Sequence, residues 1–137
     1  MLESVLKLEY LAAYAYTAAI PLLSGQSLVA ARQFLHHELA HITVLHSLIE
    51  SAHSKPSAQQ SSYPLGHPEG TRELLGLLHR IEARLLGAYL HAIPRLSAGG
   101  VRSVAAAIMA NEGQHIAMLR GRLDLDPVPA ALPTASE

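Results

Sequence analysis

Glu38-Leu39-Ala40-His41 and Glu112-Gly113-Gln114-His115 decide how this chain is read. On a helix, positions i and i+3 share a face, so each tetrad aims a carboxylate and an imidazole at one point. A lone glutamate precedes each tetrad at nearly the same distance: Glu9 lies 29 residues before Glu38, and Glu82 lies 30 residues before Glu112. Four carboxylates and two imidazoles converging inside a helical bundle are what a two-metal carboxylate site requires.

The surrounding sequence supplies the bundle. Four stretches rich in Ala and Leu read as helices, roughly 2–23, 27–53, 71–96 and 100–123. Ser24-Gly25 and Ser97-Ala98-Gly99-Gly100 punctuate them. Ser27 and Thr71 are candidate N-caps, and Pro94 is expected to bend the last turn of the third helix. Between the second and third helices, Pro56, Pro64 and Pro68 forbid a continuous helix from 54 to 69. The domain is therefore 1–123, followed by a tail, 124–137, whose Pro127, Pro129 and Pro133 predict disorder.

In an antiparallel hairpin, residues equidistant from the turn lie at the same height. The midpoint of Glu9 and Glu38 falls between Leu23 and Ser24, and that of Glu82 and Glu112 falls on Ser97. Both midpoints are turns, so each lone glutamate meets its tetrad across a hairpin. A connection returning along the bundle must cover about 39 Å, and the 17 residues from Ser54 to Gly70 can extend about 56 Å. An up-down-up-down bundle would also level the glutamates, but a short turn would serve it. The long Pro-containing link favours the crossover.

The two halves echo each other. Tyr16 follows Glu9 by seven residues and Tyr89 follows Glu82 by seven, almost two helical turns, which puts each tyrosine on its glutamate's face. The repeated unit is Glu, Tyr, turn, Glu-x-x-His. Its glutamates sit in apolar settings: Leu6, Leu8, Ala12 and Ala13 surround Glu9, and the run from Val104 to Met109 precedes Glu112. A carboxylate in an apolar stripe is costly unless paired, protonated or bound to metal. Four together repel one another strongly without cations. The expected arrangement has Glu38 and Glu112 bridging or chelating, Glu9 and Glu82 terminal, and one of His41 and His115 on each ion. Mixed carboxylate and imidazole donors suit iron first, then manganese, with zinc able to enter the purified protein. Tyr16 and Tyr89 are either hydrogen-bond donors to these carboxylates or ordinary core aromatics.

Composition narrows the classes further. The 137 residues fit one domain, the net charge is −1, and no face is conspicuously basic, so no nucleic-acid partner is expected. There is no cysteine, hence no disulfide, thiolate nucleophile or cysteine-ligated cluster. No stretch approaches about 20 uninterrupted apolar residues, so no membrane span is expected. Met1 to Lys7 does not read as a signal peptide, and a cytoplasmic location is the expectation. Of the nine histidines, His36 and His37 read as solvated or interface residues, and His79 is a candidate outer group near Glu82. The leucines from Leu74 to Leu86 read as core with a stripe to spare for a second copy, a homodimer.

The constellation of Glu9, Glu38-x-x-His41, Glu82 and Glu112-x-x-His115 resembles the ferritin-like superfamily, which includes bacterioferritins, rubrerythrins and smaller bacterial relatives. The stretches from Leu8 to Tyr14 and from Asn111 to Arg120 resemble small bacterial ferritin-like domain proteins. The resemblance spans about Leu2 to Leu123. It implies an all-α four-helix bundle, two antiparallel hairpins joined by a long crossover, with a metal pair inside one chain. It also implies Tyr16 and Tyr89 as companions of the ligands. Where related sites often carry an acidic residue just before the tetrad, this chain has His37 and Asn111. It lacks the Cys-x-x-Cys module of a complete rubrerythrin, and a fifth helix is not expected in the tail, which counts against cage-type storage. The expected function is a dimetal oxidoreductase acting on oxygen or peroxide. A non-catalytic interaction or stress-protection bundle and an iron-binding or storage module are the alternatives.

Overall fold

A computed structural model describes residues 1–129. Four helices appear in the expected order: α1 (Leu2–Ala19), α2 (Gly25–Ser51), α3 (Gly70–Ala92) and α4 (Gly100–Arg122). The first and third end earlier than their apolar patterns do, and for one reason. Pro21 and Pro94 have no N–H to continue the α-helical ladder. Ile20–Leu22 and Ile93–Arg95 tighten instead into 3-10 turns. The Ile-Pro pair is a further repeated feature, and it fixes where both hairpins turn. Helix starts also shift: α2 begins at Gly25 behind Ser24, and α3 at Gly70 behind Glu69, so neither Ser27 nor Thr71 is the cap. Gly99, at φ +95°, leads into α4 with backbone that side-chain-bearing residues seldom adopt.

The Tyr–Glu contacts give the topology. Tyr16 donates to Glu82 and Tyr89 donates to Glu9. Moving up α1 by seven residues therefore moves down α3 by seven, which is the signature of antiparallel neighbours. Since α2 runs against α1, α2 and α3 run the same way, and the chain between them must travel back along the bundle. It does so over α1. The Ser57 N–H donates to the Glu3 carboxylate, Tyr10 Oη donates to the Ser57 carbonyl, and the Tyr63 ring packs on Tyr14. Tyr10 also pairs with His46 Nε2 at 2.5 Å, joining α1, α2 and the crossover at one residue.

Burial follows a 3-4 spacing on every helix, as in coiled-coil packing. The inward positions include Val5, Glu9, Ala12, Tyr16 and Ala19 on α1, and Phe34, Glu38, His41, Leu45 and Ile49 on α2. On α3 they include Leu75, Leu78, Glu82, Leu85, Tyr89 and Ala92, and on α4 Ala105, Ile108, Glu112, His115 and Leu119. All four glutamates thus occupy positions that an ordinary bundle gives to leucine. Alanines 12, 13, 15 and 19 let α1 lie close to its neighbours, whereas α2 and α4 touch more sparingly.

The α3 leucine stripe is used within the chain: Leu74, Leu75, Leu78, Leu85 and Leu86 are buried, and Leu77 packs against the core. Of the expected tail, Asp124 to Pro129 is described. Its first residues close α4, with the Leu125 N–H on the Arg120 carbonyl and Arg120 Nε on the Asp126 carbonyl. Residues 130–137 lie outside the described residues. No described helix is long and apolar enough to cross a membrane.

Leu45 is fully buried and Leu90 is 41% exposed. Truncating a buried leucine removes its transfer free energy and leaves a cavity. Leu45→Ala is expected to cost about 2–5 kcal/mol in urea unfolding, and Leu90→Ala less than about 0.5 kcal/mol. Equal losses would contradict this packing.

Candidate metal centre

At mid-height of the bundle the six expected residues meet. Glu9, Glu38, Glu82 and Glu112 are fully buried, His115 is 1% exposed, and His41 is the most exposed of the six. His41 Nδ1 lies 2.9 Å from Glu112 Oε1, 3.4 Å from Glu9 Oε2 and 3.8 Å from Glu38 Oε2. His115 Nδ1 lies 3.2 Å from Glu38 Oε1, 3.3 Å from Glu82 Oε1 and 3.2 Å from Glu112 Oε2. Two donor sets result. One is Glu9, Glu38, His41 and Glu112; the other is Glu38, Glu82, Glu112 and His115. Within each set the donor atoms lie within 4.8 Å of one another, and Glu38 and Glu112 belong to both.

Closeness here is not hydrogen bonding. Glu9 Oε2, Glu82 Oε2, both oxygens of Glu38 and of Glu112, and Nδ1 of both histidines are buried without a hydrogen-bond partner. Buried polar atoms are normally satisfied, and orphans concentrated at one point need an explanation. The only carboxylate oxygens of the cluster with a donor are Glu9 Oε1, 2.5 Å from Tyr89 Oη, and Glu82 Oε1, which accepts from Tyr16. The outer glutamates thus have one oxygen tied and one free, while the shared glutamates have both free. Orphaned oxygens and imidazole nitrogens are a donor set for cations, and two divalent ions would balance four carboxylates.

Electrostatics without metal shows the same tension. Burial pushes the Glu9 and Glu82 carboxyls well up, with neighbouring carboxylates adding to it and His41 and His115 pulling back. Burial would lower both imidazoles, but the carboxylates outweigh it. Glu112, Glu38 and Glu9 bring His41 to about 12, and Glu112, Glu38 and Glu82 bring His115 to about 11. Burial raises Glu112 too, yet His115 and His41 prevail and leave it at about 2. Tyr16 and Tyr89 are pushed up, first by burial and then by Glu82 and Glu9 respectively, so both remain protonated donors. Protons occupy the place that cations would take.

Residues 1–124 match the family model described as the Ferritin-like domain. The chain belongs to that family. The fold of this ferritin-like chain is shared with the crystal structure of a conserved hypothetical protein, rv2844, from Mycobacterium tuberculosis. That likeness has a TM-score of 0.83 and covers 96% of this chain and 94% of the other, at 16% identity, and it speaks to fold alone. No protein of curated function matches the chain in sequence.

Two histidines depart from expectation. His79 does not join the carboxylates: its Nε2 is an orphan, and burial together with Arg120 and Arg80 lowers its basicity. His37 is half-buried, with a partner inside the bundle. Its Nδ1 lies 2.9 Å from His115 Nε2, with the two rings nearly coplanar and edge to edge, their centroids 5.2 Å apart. Phe34 covers the His115 ring at 4.0 Å. His37 takes the position before the tetrad that related proteins often give to an acid, and that position was the available signal.

Two outcomes follow for the ferritin-like core. Removing Glu9 together with its donor, as Glu9→Leu with Tyr89→Phe, is expected to stabilise the metal-free protein by about 1–4 kcal/mol in urea unfolding, because a desolvated carboxyl becomes apolar packing. A large loss would show that the cluster holds the fold without metal. Metal binding must also displace the protons that His41 and His115 retain up to about 12 and about 11. Filling both sets should therefore release at least about two protons, and the overall binding constant should rise about 100-fold per unit as pH rises through neutrality. Calorimetry in buffers of different ionisation enthalpy reads this, and a pH-independent constant would contradict it.

Proposed function

We propose that this chain binds two metal ions, iron first and manganese next, and acts as an oxidoreductase on dioxygen or peroxide. The observation that carries the reading is the convergence of buried, unpartnered donor atoms as two sets sharing Glu38 and Glu112. Glu9 and His41 would complete one ion's ligands, and Glu82 and His115 the other's. A redox-active pair held by these six side chains would supply electrons to a small oxidant. The chain's own residues prepare that chemistry. Tyr16 and Tyr89 fix Glu82 and Glu9 through one oxygen each and leave the other without a hydrogen-bond partner. Apolar layers containing Phe34 and Leu45 keep bulk water from the cluster. The His41 side chain, 11% exposed, marks the side nearest solvent and the approach for a small neutral oxidant.

Elemental analysis of protein prepared without chelators tests the reading. About two iron or manganese ions per chain are expected, with most of the binding lost in Glu112→Ala and His41→Ala. Added ferrous iron should raise the melting temperature, because a ligand selective for the native state stabilises it. Protein that stays metal-free, and whose melting ignores ferrous iron, would overturn the metal assignment. Two bound ions with no consumption of oxygen or peroxide in the presence of a reductant would instead overturn the enzymatic part.

A further inference from the structure

The two donor sets are alike in their ligands and unlike in what supports them. The His115 ring is held on one face by Phe34 and at its edge by His37, whose Nδ1 lies 2.9 Å from His115 Nε2. For Nδ1 of His115 to present a lone pair to an ion held with Glu38, Glu82 and Glu112, its remaining proton must sit on Nε2. His37 Nδ1 must then accept that proton, which also fixes the His37 tautomer. His41 has no such support. Its nearest aromatic neighbour is His115 at 6.4 Å, and the position matching His37 in the second half is Asn111, which makes no comparable contact among the described residues.

We propose that His37 is the positioning residue for His115, and that this makes the two metal sites unequal, the Glu82–His115 site filling before the Glu9–His41 site. A ligand held in its binding rotamer before metal arrives, with the acceptor for its Nε2 proton already in place, loses less freedom on binding. His115 meets that condition and His41 does not. The choice of imidazole also fits the electrostatics of the pocket. A carboxylate at 37 would accept the same proton while adding a fifth negative charge beside four buried ones, whereas a neutral ring accepts it without adding charge. This inference rests on the dimetal reading and refines it.

The test is a titration of the metal-free protein with cobalt(II), followed by its visible absorption, with manganese(II) followed in parallel by electron paramagnetic resonance. Two separable steps are expected in the unaltered chain, with the first manganese equivalent magnetically isolated and the second coupled to it. His37→Leu should weaken the first step about 10- to 100-fold, so that the steps merge, with little change in the melting temperature of the metal-free protein. His37→Asn, whose side-chain oxygen falls near the place of Nδ1, should restore two steps. His41→Leu should remove the second step and spare the first. A single step of two equal ions in the unaltered chain, an unchanged first step in His37→Leu, or loss of the first step in His41→Leu would each overturn the proposal while leaving the dimetal reading intact. An unaltered chain that binds neither metal would overturn both.

Discussion

Four carboxylates with no exposure to solvent occupy leucine positions in the core of a bundle. That constraint organises everything around it. A buried anion needs partners, and this core supplies them from opposite directions. On the α1–α3 side, two tyrosines each donate to one glutamate. On the α2–α4 side, the imidazoles reach across, His41 toward Glu112 and His115 toward Glu38. The close pair of helices carries hydroxyl clamps, and the more widely spaced pair carries the rings that fill the gap. The orphaned atoms lie between these clamps.

A bundle built only for stability would replace this polar layer with aliphatic side chains and lose nothing of its topology. The layer is therefore a cost that packing elsewhere offsets, through buried leucines such as Leu6, Leu45, Leu78 and Leu85. This is the usual relation between a prepared site and the scaffold around it. It also explains why the proton equilibria of Glu9 and Glu82 are displaced upward and that of Glu112 downward. Groups that would ionise normally in water share a space where only balanced charge is tolerated.

The six converging residues and the hairpin pairing were legible in the sequence because both depend on helical period and on distance from a turn. A glutamate flanked by alanine and leucine at matched heights has few other readings. The partners of Tyr16 and Tyr89 were not legible in the same way. Each lies on the face of its own half's glutamate, but each bonds to the other half's, because the pairing of α1 with α3 is tertiary. His37 was misjudged for a related reason. One residue from Glu38, it sits about 100° around the helix, and only the ring of His115 arriving from α4 gives that half-buried flank a partner. The helix ends shifted because Pro21 stops the ladder several residues before the apolar pattern does.

The crossed tyrosines have a consequence for the independence of the halves. Residues 1–51 and 70–122 each form a hairpin with one Glu-x-x-His, one lone glutamate and one tyrosine, yet each tyrosine completes the other hairpin's carboxylate. Neither hairpin can satisfy its own buried acid alone, but two identical ones related by a two-fold axis could. Two separate copies would have to change in step, since any substitution would fall on both sides of the axis. Joining them through residues 54–69 removes that requirement. A single chain can place histidine at 37 and asparagine at 111, and so hold two clusters of donor atoms in surroundings of different character on one symmetric frame.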